Sequence, residues 1–128
     1  MKKRITCLVL ALIFCLSIGA TALAMTRAAG GRCMISNTGR NVSFSGFSES
    51  GQTEDYIGIT VTLWEQQGSS WVPVSSKNNQ LRNTDYVETG DDITVDGGHY
   101  YKVTALYTST KNGVSYSSSS ETAKRWIP

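Results

Sequence analysis

Residues 95–108 read VDGGHYYKVTALYT, and their alternation decides the fold. After the turn-forming Asp96-Gly97-Gly98, the apolar Tyr101, Val103, Ala105 and Tyr107 interleave with Lys102, Thr104, Leu106 and Thr108. A period of two is the mark of a strand with one covered face. The first set is expected inside, and the second set, together with Tyr100, outside.

The same habit spreads outward in both directions. Asn112-Gly113 is a strong hairpin signal, because both residues tolerate positive φ, and it returns the chain into residues 114–120. Upstream, Ile57, Ile59, Val61 and Leu63 alternate with Gly58, Thr60 and Thr62. Gln66-Gln67-Gly68-Ser69-Ser70 then separates that strand from Trp71-Val72-Pro73-Val74. Pro73 cannot donate to a ladder, so its strand belongs at a sheet edge. Val42 with Phe44 and Ile93 with Val95 repeat the pattern, while the polar residues 77–84 read as a loop. No stretch after Cys33 carries a useful 3.6-residue period. Six or seven short strands joined by turns predict one all-β, antiparallel β-sandwich.

Val95, Gly98, Tyr101, Val103 and Ala105 also resemble the E–F corner of immunoglobulin and fibronectin type III-like domains. That resemblance implies that the Tyr101 body fills the core while its hydroxyl bonds backbone across the turn. Residues 59–74 look like the C–C′ hairpin of such domains, and the segment around Asn112-Gly113 like their F–G hairpin. The likeness covers roughly residues 57–126. It departs from the fibronectin type III pattern upstream, where the second strand has no Trp.

The start of the chain has a different character. Lys2, Lys3 and Arg4 precede an uncharged, largely aliphatic run, which ends in Ala22-Leu23-Ala24. Positive, apolar and small-x-small segments in that order are a secretory signal peptide. The expected organisation is a signal over residues 1–24, a flexible lead over 25–32 and one domain over 33–128. Cleavage leaves 104 of the 128 residues, with nine basic against ten acidic, a net charge of −1. The whole precursor resembles small secreted proteins of Gram-positive bacteria, which implies a secreted, extracellular location and no particular activity. A near-neutral domain offers no electrostatic footprint for nucleic acid or for a membrane surface after cleavage. Cys7 and Cys15 leave with the signal, so Cys33 has no intramolecular partner and a disulfide-free monomer is expected.

Little here suggests catalysis. His99 is the sole histidine, and no Gly-x-Ser-x-Gly elbow or second triad member accompanies it. One His and one Cys cannot make a four-ligand zinc site. Asp91, Asp92 and Asp96, with Glu88, form the one acidic cluster and a weak calcium candidate. No phosphate-cradling Gly-rich loop opens a helix, so no cofactor is expected. A hydrolase is the least favoured reading.

The aromatic residues say more. Tyr101, Tyr107 and Phe44 are expected in the core, with Phe47 a further candidate. If Ile59, Val61 and Leu63 face inward, Thr60, Thr62 and Trp64 face outward. In an immunoglobulin-like sandwich the two central strands are neighbours. Trp64, Tyr100 and Leu106 would then share an exposed surface with Thr62 and Thr104 between them. Such a surface suits an extracellular protein or a cell-surface glycan, although threonine and tyrosine also favour exposed strands for conformational reasons. The leading expectation is a non-catalytic secreted binding domain. The alternative is a bacteriocin-like or signalling protein acting on another cell.

Overall fold

The computed structural model describes residues 30–128, so the expected signal segment lies outside the described residues. The chain is all-β and antiparallel. Six strands follow one another: β1 (Gly30–Thr38), β2 (Asn41–Gln67), β3 (Ser70–Thr94), β4 (His99–Lys111), β5 (Val114–Glu121) and β6 (Arg125–Ile127).

Two of these strands are far longer than the sequence pattern suggests, because each serves two sheet segments. Residues 41–49 of β2 lie between β1 and residues 86–94 of β3. Residues 54–67 of β2 lie between residues 70–84 of β3 and β4. The change of neighbour occurs at an irregularity between Glu49 and Glu54 of β2. Asn83 nearby adopts a left-handed φ of 54°. β5 and β6 pair with successive parts of β4.

The core lies where the inward faces of these two segments meet. Val42, Phe44 and Val87 come from the first, and Ile57, Ile59, Val61, Leu63, Tyr101, Val103, Ala105 and Tyr107 from the second. All of them are almost fully buried. Close approach across the core requires glycine at Gly46, where an added Cβ would lie 3.0 Å from both Ile59 and Val61. Ile127 of β6 closes one end.

Three expectations need correction. Residues 77–84 form the edge of the second segment rather than a loop, since Ile57 to Leu63 must satisfy backbone groups on both sides. Their polarity follows from exposure along nearly the whole edge. Gly30, Gly31 and Arg32 belong to β1, not to a flexible lead, and pair with Glu49, Ser48 and Phe47. An added Cβ at Gly31 would overlap the Phe47 carbonyl, which explains the glycine by close backbone approach. Phe47 is outside the core. Gly46 and Ser48 hold the inward positions beside it, and Phe47 stacks on Tyr86 on the outer face, with ring centroids 5.8 Å apart.

The Asn112-Gly113 turn has φ values of 52° and 75°, the doubly positive pair that the right-handed twist of a hairpin favours. Pro73 lies on an edge, beside a register shift between Leu63 and Trp64.

Candidate functional site

The outer face of the second segment gathers most of the aromatic side chains that the core leaves unused, while Phe47 and Tyr86 lie on that of the first. The geometry of the second segment's face follows from the register of β2 against β4. Thr62 pairs with Thr104, Thr60 with Leu106, and Trp64 with Lys102. Because alternate residues share a face, Thr60, Thr62 and Trp64 stand beside Leu106, Thr104, Lys102 and Tyr100. Trp64, Tyr100, Leu106, Thr62 and Thr104 therefore occupy one surface. Tyr100 is 37% exposed and Leu106 46%, while Trp64, Thr62 and Thr104 are half-buried among neighbours on the sheet.

Side-chain bonds hold this face in order. The Trp64 indole N–H donates to the Thr104 hydroxyl at 2.8 Å, which fixes the ring across two strands and leaves the Thr104 O–H free to donate. Thr62 and Ser76 share a hydroxyl pair at 3.1 Å, and Ser76 also donates to the Val61 carbonyl. The Lys102 ammonium lies 4.5 Å over the Trp71 ring and pairs with Glu121 at 3.1 Å.

Two tryptophans missed by the sequence reasoning belong here. Trp71 pairs with Gln66 across the β2–β3 turn, which puts it on the outward row. Counting forward from Gly68 through the turn could have found it. Trp126 pairs with Tyr100 and packs edge-on against it, with centroids 5.0 Å apart. It lies on a three-residue strand, too short to show a period. All three tryptophans of the chain thus sit toward one end of this face. Lys124 lies 4.5 Å over the Tyr100 ring. At the far end, Arg82 covers Tyr56 at 4.8 Å.

Between those ends the sheet is indented. Gly58 has no side chain to fill the space between Gln80 and Thr108, and a groove of about 320 Å³ opens there. A second groove of about 390 Å³ lies on the outer face of the other segment, beside Met34, Phe47 and Tyr86.

The other sequence-derived residues play structural parts. Tyr101 is fully buried, and its hydroxyl donates to the Asp96 carbonyl at 2.6 Å. The Glu65 carboxylate lies 3.1 Å from the same hydroxyl. Burial, and then Glu65, push the Tyr101 phenol well above the ordinary tyrosine range. His99 faces Glu65 at 3.6 Å. Asp91 and Asp92 point to opposite faces of β3, toward Lys77 and Ser43 respectively. Among the described residues, no group of three His, Cys, Asp or Glu is placed to hold a metal ion. Asp91, Asp92 and Asp96 therefore do not converge into the oxygen cage that calcium needs. Cys33 is buried and free, with its sulfur 3.7 Å from the Val103 carbonyl and from the Ser120 hydroxyl. No helix among the described residues is long and apolar enough to cross a membrane.

No protein-family model matches the chain, and no curated protein matches it. Several solved structures show a distant similarity to the chain. R. palustris CsgH is 8% identical, with a TM-score of 0.42 over 71% of this chain and 89% of that one. OgpA from Akkermansia muciniphila is 14% identical, with a TM-score of 0.41 over 74% of this chain and 27% of that one. The sporulation control protein Spo0M from Bacillus subtilis is 10% identical, with a TM-score of 0.40 over 73% of this chain and 48% of that one. Likeness at this level assigns neither a site nor an activity.

Proposed function

We propose that the chain is the precursor of an exported, non-catalytic binding domain, folded as an immunoglobulin or fibronectin type III-like sandwich. The domain engages an extracellular protein or a cell-surface glycan through the outer face of residues 70–84, β2, β4 and β5. The fold reading is supported by the pairing order. Three strand segments (β1, 41–49 and 86–94) face four (70–84, 54–67, β4 and β5) across one core. The tyrosine-corner hydrogen bond from Tyr101 to Asp96 supports it independently. Export rests on the basic, apolar and small-x-small pattern of residues 1–24.

The observation that carries the functional reading is the shared placement of Trp64, Trp71, Trp126, Tyr100 and Leu106 on one face. Apolar side chains at such positions add nothing to the core, and a contiguous group of them is what binding surfaces are made of. The test combines two measurements. N-terminal sequencing of secreted protein should give a start at Met25. Trp64→Ala with Tyr100→Ala should keep the thermal midpoint within a few degrees yet abolish capture of the partner in pull-downs from cell-wall and surface fractions. A folded double variant that captures the same partner equally well would refute the reading.

A further inference from the structure

The groove over Gly58 has an unusual lining for a sheet face. Thr60, Thr108, Asn78 and Gln80 surround it, and Asn79 contributes its backbone. None of these residues is charged. Asn79 spends its amide on the Glu88 carbonyl. The other four side chains make no hydrogen bond to any described residue, so two amides and two hydroxyls converge on one indentation with their bonding capacity unspent. Amides offer a donor and an acceptor together, and hydroxyls can act as either. A ligand that matches them is itself neutral and carries many groups that both donate and accept.

The groove and the tryptophans lie on the same rows. Gly58 and Trp64 are six residues apart on β2, roughly 20 Å of strand or about four pyranose rings. The row between them consists of Thr60 and Thr62, flanked by Ser76, Thr104 and Leu106. At the far end the rings of Trp64, Trp71, Tyr100 and Trp126 supply apolar surface, which the C–H faces of a sugar ring can cover. At that end Lys102 is paired with Glu121 and lies over Trp71, and Lys124 lies over the Tyr100 ring, so the preference for a neutral ligand is set by the groove, whose lining carries no charge.

We propose that this face is a track for a linear, uncharged glycan that runs along β2, with one sugar unit seated in the Gly58 groove and others stacked toward the tryptophan end. The proposal rests on the reading of this face as the binding surface, and it narrows the partner to one chemical class.

The experiment is titration calorimetry of residues 25–128 with hexasaccharides of β-1,4-linked glucose, N-acetylglucosamine and mannose, and with the hexamer of galacturonic acid. At least one neutral hexamer should bind, with affinity that rises from one ring to about four and then levels. Asn78→Ala with Gln80→Ala should weaken binding by about tenfold or more, the worth of two or more net hydrogen bonds, without moving the thermal midpoint. Gly58→Ala should also weaken binding, because its Cβ would stand 2.6 Å from the Thr108 hydroxyl and displace that side chain in the groove lining. Binding only of the acidic hexamer, binding of none, or neutral binding that ignores these substitutions would overturn the proposal. If no glycan binds but Trp64→Ala with Tyr100→Ala loses a protein partner, the glycan inference fails and the binding face survives. If that partner is also retained, both fail.

Discussion

The Tyr101 hydroxyl reaches back across Gly97-Gly98 to the Asp96 carbonyl at 2.6 Å, so the first residues of β4 are tied to the turn that precedes them. Tyr101→Phe keeps the ring in the core and removes this bond. It should cost roughly 0.5–1.5 kcal/mol in chemical denaturation. Tyr101→Ala should cost roughly 3–5 kcal/mol. Tyr100→Ala, on the exposed face one residue away, should cost far less. The reverse order would mean that the register of β4 is shifted by one.

Alkaline unfolding tests the same residue electrostatically. Tyr101 is held neutral in the folded state, its phenol raised by burial and then by Glu65. Tyr107 is raised as well, chiefly by burial. A group whose folded pKa lies above its unfolded value stabilises the protein fully below the unfolded value, about 10 for tyrosine. That contribution is lost as pH rises above it. Stability should therefore be insensitive to these groups below about pH 9 and fall above about pH 10. Tyr101→Phe should flatten the fall. A slope unchanged in this variant would exclude Tyr101 as its source.

Cys33 of β1 turns its sulfur into the core, against the Val103 carbonyl and the Ser120 hydroxyl. In residues 25–128 the thiol should react with a thiol reagent only on unfolding, and the native protein should run as a monomer without reductant. Cys33→Ser places a hydroxyl in that pocket and should cost about 1–2 kcal/mol. Rapid labelling of native protein, or a reductant-sensitive dimer, would show that the thiol is accessible.

An added Cβ at Gly31 would run into the Phe47 carbonyl and the Tyr107 ring. Gly31→Ala should destabilise the domain by roughly 1–3 kcal/mol, the range for forced overpacking. Gly30→Ala should be nearly neutral, since nothing lies within 4 Å of an added Cβ. Equal, negligible effects at both positions would place Gly31 in a flexible lead.

What the sequence revealed, and what it hid, follows from burial. Wherever a strand has one covered face, as in β4 and the second half of β2, alternation exposed the strand and its inward residues together. The Asn112-Gly113 hairpin and the Tyr101 corner were equally legible, because each needs a particular residue type at a particular backbone position. Residues 77–84 were not, since an edge with almost every side chain in solvent carries no hydrophobic period. Gly30 and Gly31 carry none either, and their composition alone suggests flexibility. Trp64, Tyr100 and Leu106 could be placed on one face by parity. Trp71 and Trp126 required the register of a turn and of a three-residue strand. The Gly58 groove could not be read at all, because a missing side chain matters only once Gln80 and Thr108 are known to flank it.

The binding face is tested most directly by the indole N–H resonances of Trp64, Trp71 and Trp126 in 15N-labelled residues 25–128, followed as the neutral hexasaccharides are added. The three indole signals and the backbone amides of Thr60, Thr62 and Thr104 should shift together and saturate with one dissociation constant, while Met34, Phe47 and Tyr86 on the opposite face stay still. Saturable shifts centred on Met34, Phe47 and Tyr86, with the three indoles unmoved, would contradict the assignment of the binding face.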